Sequence, residues 1–281
     1  MVTMLIRDAQ RQLASQLASL ESPVFEARQL LCGLLHVNSQ DLLENRREVS
    51  EEEWQRLQAA AKRRLTGYPL QYLIGEWEFF GLPFAVGEGV LIPRADTEVL
   101  CEFALEWLKG KHNQRVLDLC SGSGCLAIAI AQESSADNTV YALEKSPQAI
   151  SYLKRNLALN QSPAMLLEDD VLASQTAETG FDLIVSNPPY LSAEDMEHLQ
   201  TEVSFEPEMA LFAEHNGFYF YERITAIWNE RLNIGGMLAY EVGIHQAARV
   251  ATILEQNGFA AVRRICDLNG IERVVAGIKI R

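Results

Sequence analysis

The chain lacks the features that would tie it to a membrane, an oxidising compartment or a nucleic-acid backbone. It contains no run of about 18 apolar residues, the length a membrane-spanning helix requires. The opening Met1-Val2-Thr3-Met4-Leu5-Ile6-Arg7-Asp8 has neither an uninterrupted apolar core nor a small-residue cleavage site, so no export signal is expected there. Cysteines number five (Cys32, Cys101, Cys120, Cys125 and Cys266), an odd count with no C-x-x-C pair. Free thiols in a reducing cytoplasm are therefore expected, with no metal site. The five histidines (His36, His112, His198, His215 and His245) form no constellation and receive no role. Basic residues are scarce, 24 Lys and Arg against 38 Asp and Glu, for a net charge of −14. Residues 1–75 hold nine of each sign, so the whole acidic excess falls beyond them. Nucleic-acid affinity rests largely on Lys and Arg neutralising phosphates, and this balance argues against a DNA or RNA substrate. What the chain does have is 48% hydrophobic residues, enough for a packed core, and no internal repeat or low-complexity segment.

The most informative segment is Asn187-Pro188-Pro189-Tyr190, directly after the apolar run Phe181-Asp182-Leu183-Ile184-Val185-Ser186. A buried strand that stops at a polar residue and two prolines points that residue out of the end of a sheet, where ligands bind in open α/β folds. The Asn187 amide can both accept from and donate to a planar NH2 group. Pro188 has no N–H, and Pro189 behind it favours an extended backbone, which leaves the Pro188 carbonyl as a second acceptor. Tyr190 supplies a flat face for stacking. Asn-Pro dipeptides also mark ordinary turns, so the tetrapeptide gains its weight from what lies upstream.

Upstream, Arg115-Val116-Leu117-Asp118-Leu119-Cys120 reads as a buried strand, Ser121-Gly122-Ser123-Gly124-Cys125 as a small-residue turn, and Leu126 to Ala131 as a helix. That is an opening βα unit in which small residues let a ligand approach a helix N-terminus. The spacing is not G-x-G-x-x-G, and Asp118 suits a cationic amino group better than a pyrophosphate. A second strand, Thr139 to Leu143, ends at Glu144, 22 residues after Gly122, where an acid can bind ribose hydroxyls.

Strand, loop, acid and tetrapeptide together resemble the S-adenosylmethionine-dependent methyltransferases of Rossmann-like fold. The resemblance implies the methionine part on the loop (Asp118, Cys120, Ser121, Gly122, Ser123, Gly124) and the ribose on Glu144. It also implies an adenine contact after the third strand, at Asp170 and Val171; for Asp170 a helix cap or solvated acid is the alternative reading. Further stretches narrow the match: Gly75-Glu76-Trp77-Glu78-Phe79-Phe80-Gly81, Val90 to Glu98, Gly67 to Tyr72, Phe205 to Leu211, and Asp267 to Arg273. They resemble the HemK-type release-factor glutamine methyltransferases from about Pro23 to the C-terminus. Cys120 departs from the family, which more often has Gly there, and Val171 stands where some members carry an aromatic.

Organisation follows from periodicity. Residues 3–65 read as helical, with Leu5, Ala9, Leu13, Leu17 and Leu20 at helical spacing. Ser22-Pro23 opens a second helix through Leu34-Leu35, and Ser50 with Glu53 forms a capping box for a third reaching about Leu65. Residues 1–72 are thus expected to form a small helical bundle whose exposed face carries Arg46, Arg47, Lys62, Arg63 and Arg64. That face reads either as solvated or as a docking surface for an acidic partner. Residues 73–95 suggest a β-hairpin linker, and 96–281 the catalytic domain, with Asp96 or Thr97 capping its first helix. Arg94, just outside, reads equally as a cover for the cofactor. Helical patterns follow at Phe218–Leu232 and Gln246–Asn257. Strands are expected at Gly236–Val242, Val262–Asp267 and Arg273–Ile280, the last two as an antiparallel pair. The fold class expected is α/β, a Rossmann-like methyltransferase sheet with that terminal pair, the bundle and the hairpin.

The chemistry implied is methyl transfer from S-adenosylmethionine to a glutamine side-chain nitrogen, with Asn187, Pro188, Pro189 and Tyr190 as catalytic residues and Asn187 also close to the cofactor. By resemblance, the substrate is the Gly-Gly-Gln loop of bacterial peptide chain release factors, gripped by the bundle of a monomeric cytoplasmic enzyme with no nucleic-acid or membrane partner. Three alternatives stay open: an N6-adenine methyltransferase, a glutamine methyltransferase of a ribosomal protein, and a non-catalytic adaptor.

Overall fold

Residues 4–281 are described by a computed structural model. Thr3, where the helical reading begins, and the two residues before it lie outside that range. Two compact units are present. The first runs to Trp77 and takes in 86–88 and 200–205; the second comprises 78–85, 89–199 and 206–281.

In the first unit, β1 (Met4–Leu5) pairs antiparallel with β2 (Glu48–Val49), and five helices follow the apolar periodicity: α1 (Ile6–Gln16), α2 (Pro23–Leu35), α3 (Ser39–Glu44), α4 (Glu51–Arg64) and α5 (Leu70–Ile74). Ile6, Ala9, Leu13 and Leu17 are fully buried against Leu30, Leu31 and Leu57. The α4 capping box is present: Glu53 N donates to Ser50 Oγ at 3.3 Å and Ser50 N to Glu53 Oε2 at 2.8 Å. At α2, Pro23 occupies the first turn as expected, but the Ser22 side chain makes no cap bond. Sequence reading missed α3, a six-residue helix closed by a reciprocal Asn38–Asp41 capping box.

One member of the basic face is corrected. Arg64 is buried, not exposed: it forks onto Glu26 at 2.7 and 2.8 Å and reaches Glu202 at 2.5 Å. The cause is helical spacing, since Arg64 lies on the stripe of Trp54, Leu57 and Ala61. Arg47 is half-buried and paired with Glu53, whereas Arg46, Lys62 and Arg63 are exposed.

β3 (Glu76–Phe79) and β4 (Leu82–Ala85) form the two-stranded sheet expected in the 73–95 region. Next come α6 (Ala95–Leu108), β5 (Arg115–Leu119), α7 (Cys125–Glu133), β6 (Thr139–Glu144), α8 (Pro147–Leu159), β7 (Met165–Glu168), β8 (Phe181–Ser186) and α9 (Ala193–Glu197). The chain finishes with α10 (Tyr219–Trp228), β9 (Leu232–Glu241), α11 (Ala247–Gln256), β10 (Phe259–Cys266) and β11 (Glu272–Lys279). The seven-stranded sheet has the order β10-β11-β9-β8-β5-β6-β7, parallel from β9 to β7 and antiparallel at β11 and β10. The last two strands begin one to three residues earlier than expected, and β9 begins four earlier because Leu232 already pairs with Phe181.

Period-two alternation sorts the strand residues onto two faces. Val116, Val140, Leu183, Val185, Met237, Ala239, Val274 and Ala276 pack with α6 and α7 on one side. Leu117, Tyr141, Leu143, Ile184, Leu238, Tyr240 and Val275 pack with α10 and α11 on the other. The chain runs outward from β5 through β6 to β7, then returns to β8 on the opposite side of β5. The order reverses between β5 and β8, and a crevice opens beyond the carboxyl ends of strands at such a switch point.

Candidate active site

Both sequence signals arrive at that crevice. Its wall includes Asp118 near the end of β5 with Cys120 to Ser123 after it, Glu144 at the end of β6, Asp169 and Val171 after β7, and Asn187 and Pro189 after β8. Residues 89–94, Thr97, and 207–212 in part also belong to it.

The loop after β5 owes its shape to left-handed backbone. Cys120, Gly122 and Gly124 have φ of 59°, 55° and 82°. Glycine takes such values freely, whereas a residue with a Cβ pays about 1–2 kcal/mol. Cys120 therefore stands at a position whose geometry favours Gly. A Cβ on Gly124 would meet the Leu153 side chain at 3.0 Å, so that glycine also permits close packing against α8.

Asp118 Oδ2 accepts from Ala127 N at 3.3 Å, at the third residue of α7, while Oδ1 is buried with no partner. Burial pushes the Asp118 carboxyl up to about 7. Glu144 is nearly covered and held by three backbone donors: Gly122 N at 2.9 Å, and Lys145 N and Ser146 N at 2.8 Å each. A carboxylate offers about four lone-pair directions, so acceptor capacity remains.

After β7 the chain turns so that Asp169 and Val171 face the crevice, whereas Asp170 lies outside its wall. The Asp170 carboxylate instead accepts from Leu172 N at 2.9 Å and pairs with Lys145 at 3.3 Å. Asp170 is thus the partly solvated acid of the alternative reading; it closes a turn and not a helix, since no helix begins there. Val171 is buried and its carbonyl accepts from Trp228 Nε1 at 2.9 Å.

At the end of β8, Asn187 Nδ2 donates to Thr97 Oγ1 at 3.1 Å. Neither Asp96 nor Thr97 caps α6: its N-cap is Arg94, Thr97 turns inward, and Asp96 pairs with Arg273 at 2.9 Å. Arg94 lines the crevice and is ion-paired with buried Glu206, which also accepts from Ile92 N at 3.0 Å. Pro188 and Tyr190 do not line the crevice. The Tyr190 ring packs with the α10–α11 cluster, its hydroxyl meets Glu241 Oε1 at 3.4 Å, and its carbonyl accepts from Gln246 Nε2 at 2.9 Å. From the sequence Thr97 reads only as a helix-start residue, and Glu206 and Glu241 receive no site role.

The sheet order and crevice define a Rossmann-like S-adenosylmethionine-dependent methyltransferase fold. Solved structures of that fold align with the chain, including the ribosomal protein L11 methylase of Lactobacillus delbrueckii subsp. bulgaricus (TM-score 0.50, 21% identity, 70% of this chain and 84% of that one). A methyltransferase from Pyrococcus furiosus aligns at TM-score 0.53 and 16% identity, over 83% of this chain and 100% of that one. At these identities the likeness is one of fold alone. Residues 96–210 match the methyltransferase small domain model, and residues 8–75 the PrmC N-terminal domain model. The release factor glutamine methyltransferase of Geobacter sulfurreducens is 39% identical over 259 residues, covering 92% of this chain and 90% of the relative. That of Shewanella oneidensis is 37% identical over 263 residues, covering 92% and 91%. The chain belongs to the release factor glutamine methyltransferase family.

Proposed function

We propose that the protein transfers the methyl group of S-adenosylmethionine to the side-chain amide nitrogen of the glutamine in the Gly-Gly-Gln motif of peptide chain release factors, in the cytoplasm. The observation that carries this reading is the Asn187–Thr97 bond. With its NH2 engaged by Thr97, the Asn187 carboxamide keeps Oδ1 for an incoming donor.

The crevice suits the cofactor. Asp118 Oδ1, a buried acceptor without a partner, fits an ammonium group; Glu144 fits ribose hydroxyls; and Val171 offers an apolar edge to adenine. Cys120, Ser121, Gly122 and Ser123 let the ligand approach the backbone closely, while Gly124, off the crevice wall, serves the packing of the loop against α8. When bound, S-adenosylmethionine supplies a methyl group on a sulfonium, a strong leaving group. A glutamine nitrogen is a poor nucleophile because its lone pair is delocalised into the carbonyl. The work left to the chain is geometric: hold that nitrogen in line with the methyl carbon and keep it there.

Asn187 Oδ1 on the crevice wall and the Pro188 carbonyl, off the wall but between Asn187 and Pro189 on it, accept the two amide hydrogens, fix the nitrogen, and stabilise the positive charge that grows on it. Pro189 forms part of the wall, and Tyr190 anchors the turn through its packed ring and bonded carbonyl. The proton leaves to water afterwards. The N-terminal helical unit, residues 1–72 in the sequence reading, is the candidate grip on the release factor.

The test uses purified protein and methyl-labelled cofactor with, in turn, a release factor, its Gln→Ala variant, ribosomal protein and DNA. Label on the first alone supports the reading. Label on DNA alone overturns it in favour of an adenine methyltransferase, and no label on any of them favours an adaptor.

A further inference from the structure

Glu241 ends β9, the strand beside β8, on the same face of the sheet as Asn187. It is 2% exposed and does not line the crevice. Its Oε1 meets the Tyr190 hydroxyl at 3.4 Å, and its Oε2 is buried with no partner. The Thr97 hydroxyl lies beside the same carboxylate. Thr97 and Asp96 on α6, Arg273 on β11 and Tyr190 after β8 face it, with Tyr221 of α10 and Cys125 of α7 close by. Arg273 does not neutralise it outright, being committed to Asp96 at 2.9 Å and Asp267 at 3.1 Å.

Thr97 has one hydroxyl proton. Its oxygen accepts from Asn187 Nδ2, so that proton is free for another acceptor, and the unpartnered Glu241 Oε2 is the buried acceptor beside it. An ionised carboxylate takes protons and gives none.

We propose, building on the function proposed above, that Glu241 is a positioning residue for the methyl transfer: as a carboxylate it claims the Thr97 proton, leaves Thr97 only to accept from Asn187 Nδ2, and so fixes Asn187 Oδ1 as the acceptor shown to the substrate amide. The same carboxylate holds the Tyr190 hydroxyl, and with it the far end of the Asn-Pro-Pro-Tyr turn. Protonated Glu241 becomes a donor toward Thr97. Thr97 can then give its proton to Asn187, and the carboxamide is no longer held in one orientation. Burial pushes the Glu241 carboxyl up to about 7, so this change falls within the working range of pH. Turnover is lost as pH falls through that value.

The test compares wild-type protein with the Glu241→Gln, Thr97→Val and Thr97→Ser variants across pH. It measures kcat and KM on a release factor and, separately, the dissociation constant of S-adenosylmethionine. Glu241→Gln is expected to lower kcat by roughly tenfold or more, the scale of a misplaced acceptor. It should leave cofactor binding unchanged and remove the acid limb near pH 7. Thr97→Val should lower kcat similarly, with no further loss in the double variant, and Thr97→Ser should restore it. Wild-type kcat with an intact acid limb in Glu241→Gln overturns the proposal while the methyltransferase reading stands. Wild-type protein inactive on release factor at every pH overturns that reading and the proposal with it. If Glu241→Gln does not fold, Thr97→Val decides: a normal kcat overturns the relay and a depressed one, restored in Thr97→Ser, supports it.

Discussion

Asn187 and Thr97, ninety positions apart in the chain, meet through a 3.1 Å hydrogen bond from Nδ2 to Oγ1. Truncating Asn187 removes an acceptor from the substrate amide without touching the loop after β5. Asn187→Ala is expected to cut turnover by roughly 10²–10³-fold, the scale seen when one transition-state partner is lost. Cofactor affinity should change by less than about tenfold, or ~1.4 kcal/mol. Single-turnover rates alongside calorimetric binding check this. A collapse of cofactor binding would make Asn187 mainly a cofactor residue.

Gly217 guards the other end of the tetrapeptide. Its φ is +87°, and an added Cβ would lie 2.2 Å from the Tyr190 carbonyl oxygen. Gly217→Ala is therefore expected to cost about 1–3 kcal/mol of stability and to lower kcat, because the turn must move. Thermal melts and turnover read the two effects; a variant normal in both would show that the turn adjusts without cost.

The left-handed backbone at Cys120 makes a prediction about side-chain shape. Cys120→Val, β-branched at φ 59°, is expected to lose about 1–2 kcal/mol, while Cys120→Gly holds wild-type stability or exceeds it. Denaturant midpoints rank the three proteins. Equal stability for Val and Gly would contradict the backbone argument.

Asp118 links pH to cofactor binding. Folding raises its pKa to about 7, so the folded chain holds this proton more tightly than the unfolded one. Its contribution to stability is complete below about pH 4 and is lost as pH rises through about 7. An ammonium ligand needs the ionised form, so cofactor affinity should weaken as pH falls below about 7, approaching tenfold per pH unit. Asp118→Asn should bind weakly and lose that slope. Calorimetry from pH 5.5 to 8.5 measures both; parallel slopes would remove Asp118 from the contact.

In the N-terminal unit, Arg64 and exposed Lys62 separate burial from charge. Removing Arg64 leaves the Glu26 and Glu202 carboxylates without their shared partner, at an expected cost of about 3–5 kcal/mol. Lys62→Ala should stay within about 0.5 kcal/mol. Urea unfolding of both variants checks the contrast.

Local patterns made much of this legible. Short apolar runs named β5, β6 and β8, and the polar residue at the end of β6 and the one just after β8 both lie on the crevice. Cys120 drew notice as a departure from a usual glycine, and its left-handed φ supplies the reason. What escaped was contact between distant segments. Thr97 reads as a helix-start residue, and only the packing of α6 over the end of β8 turns it toward Asn187. Glu241 sat unremarked inside an expected strand, because register between parallel strands is set by the fold and not by local spacing. Arg64 was assigned to the surface with its basic neighbours, although its offset from Leu57 and Ala61 placed it on the buried stripe. The turn after β7 brought Asp169 to the crevice in place of Asp170, a one-residue shift that strand-end reasoning does not resolve.

The most direct measurement is the mass of the Gly-Gly-Gln peptide from a release factor incubated with this protein and S-adenosylmethionine. One added methyl group is expected, located by fragmentation to the glutamine side chain and absent with the Asn187→Ala variant. A peptide of unchanged mass, or a methyl group on any other residue, would contradict it.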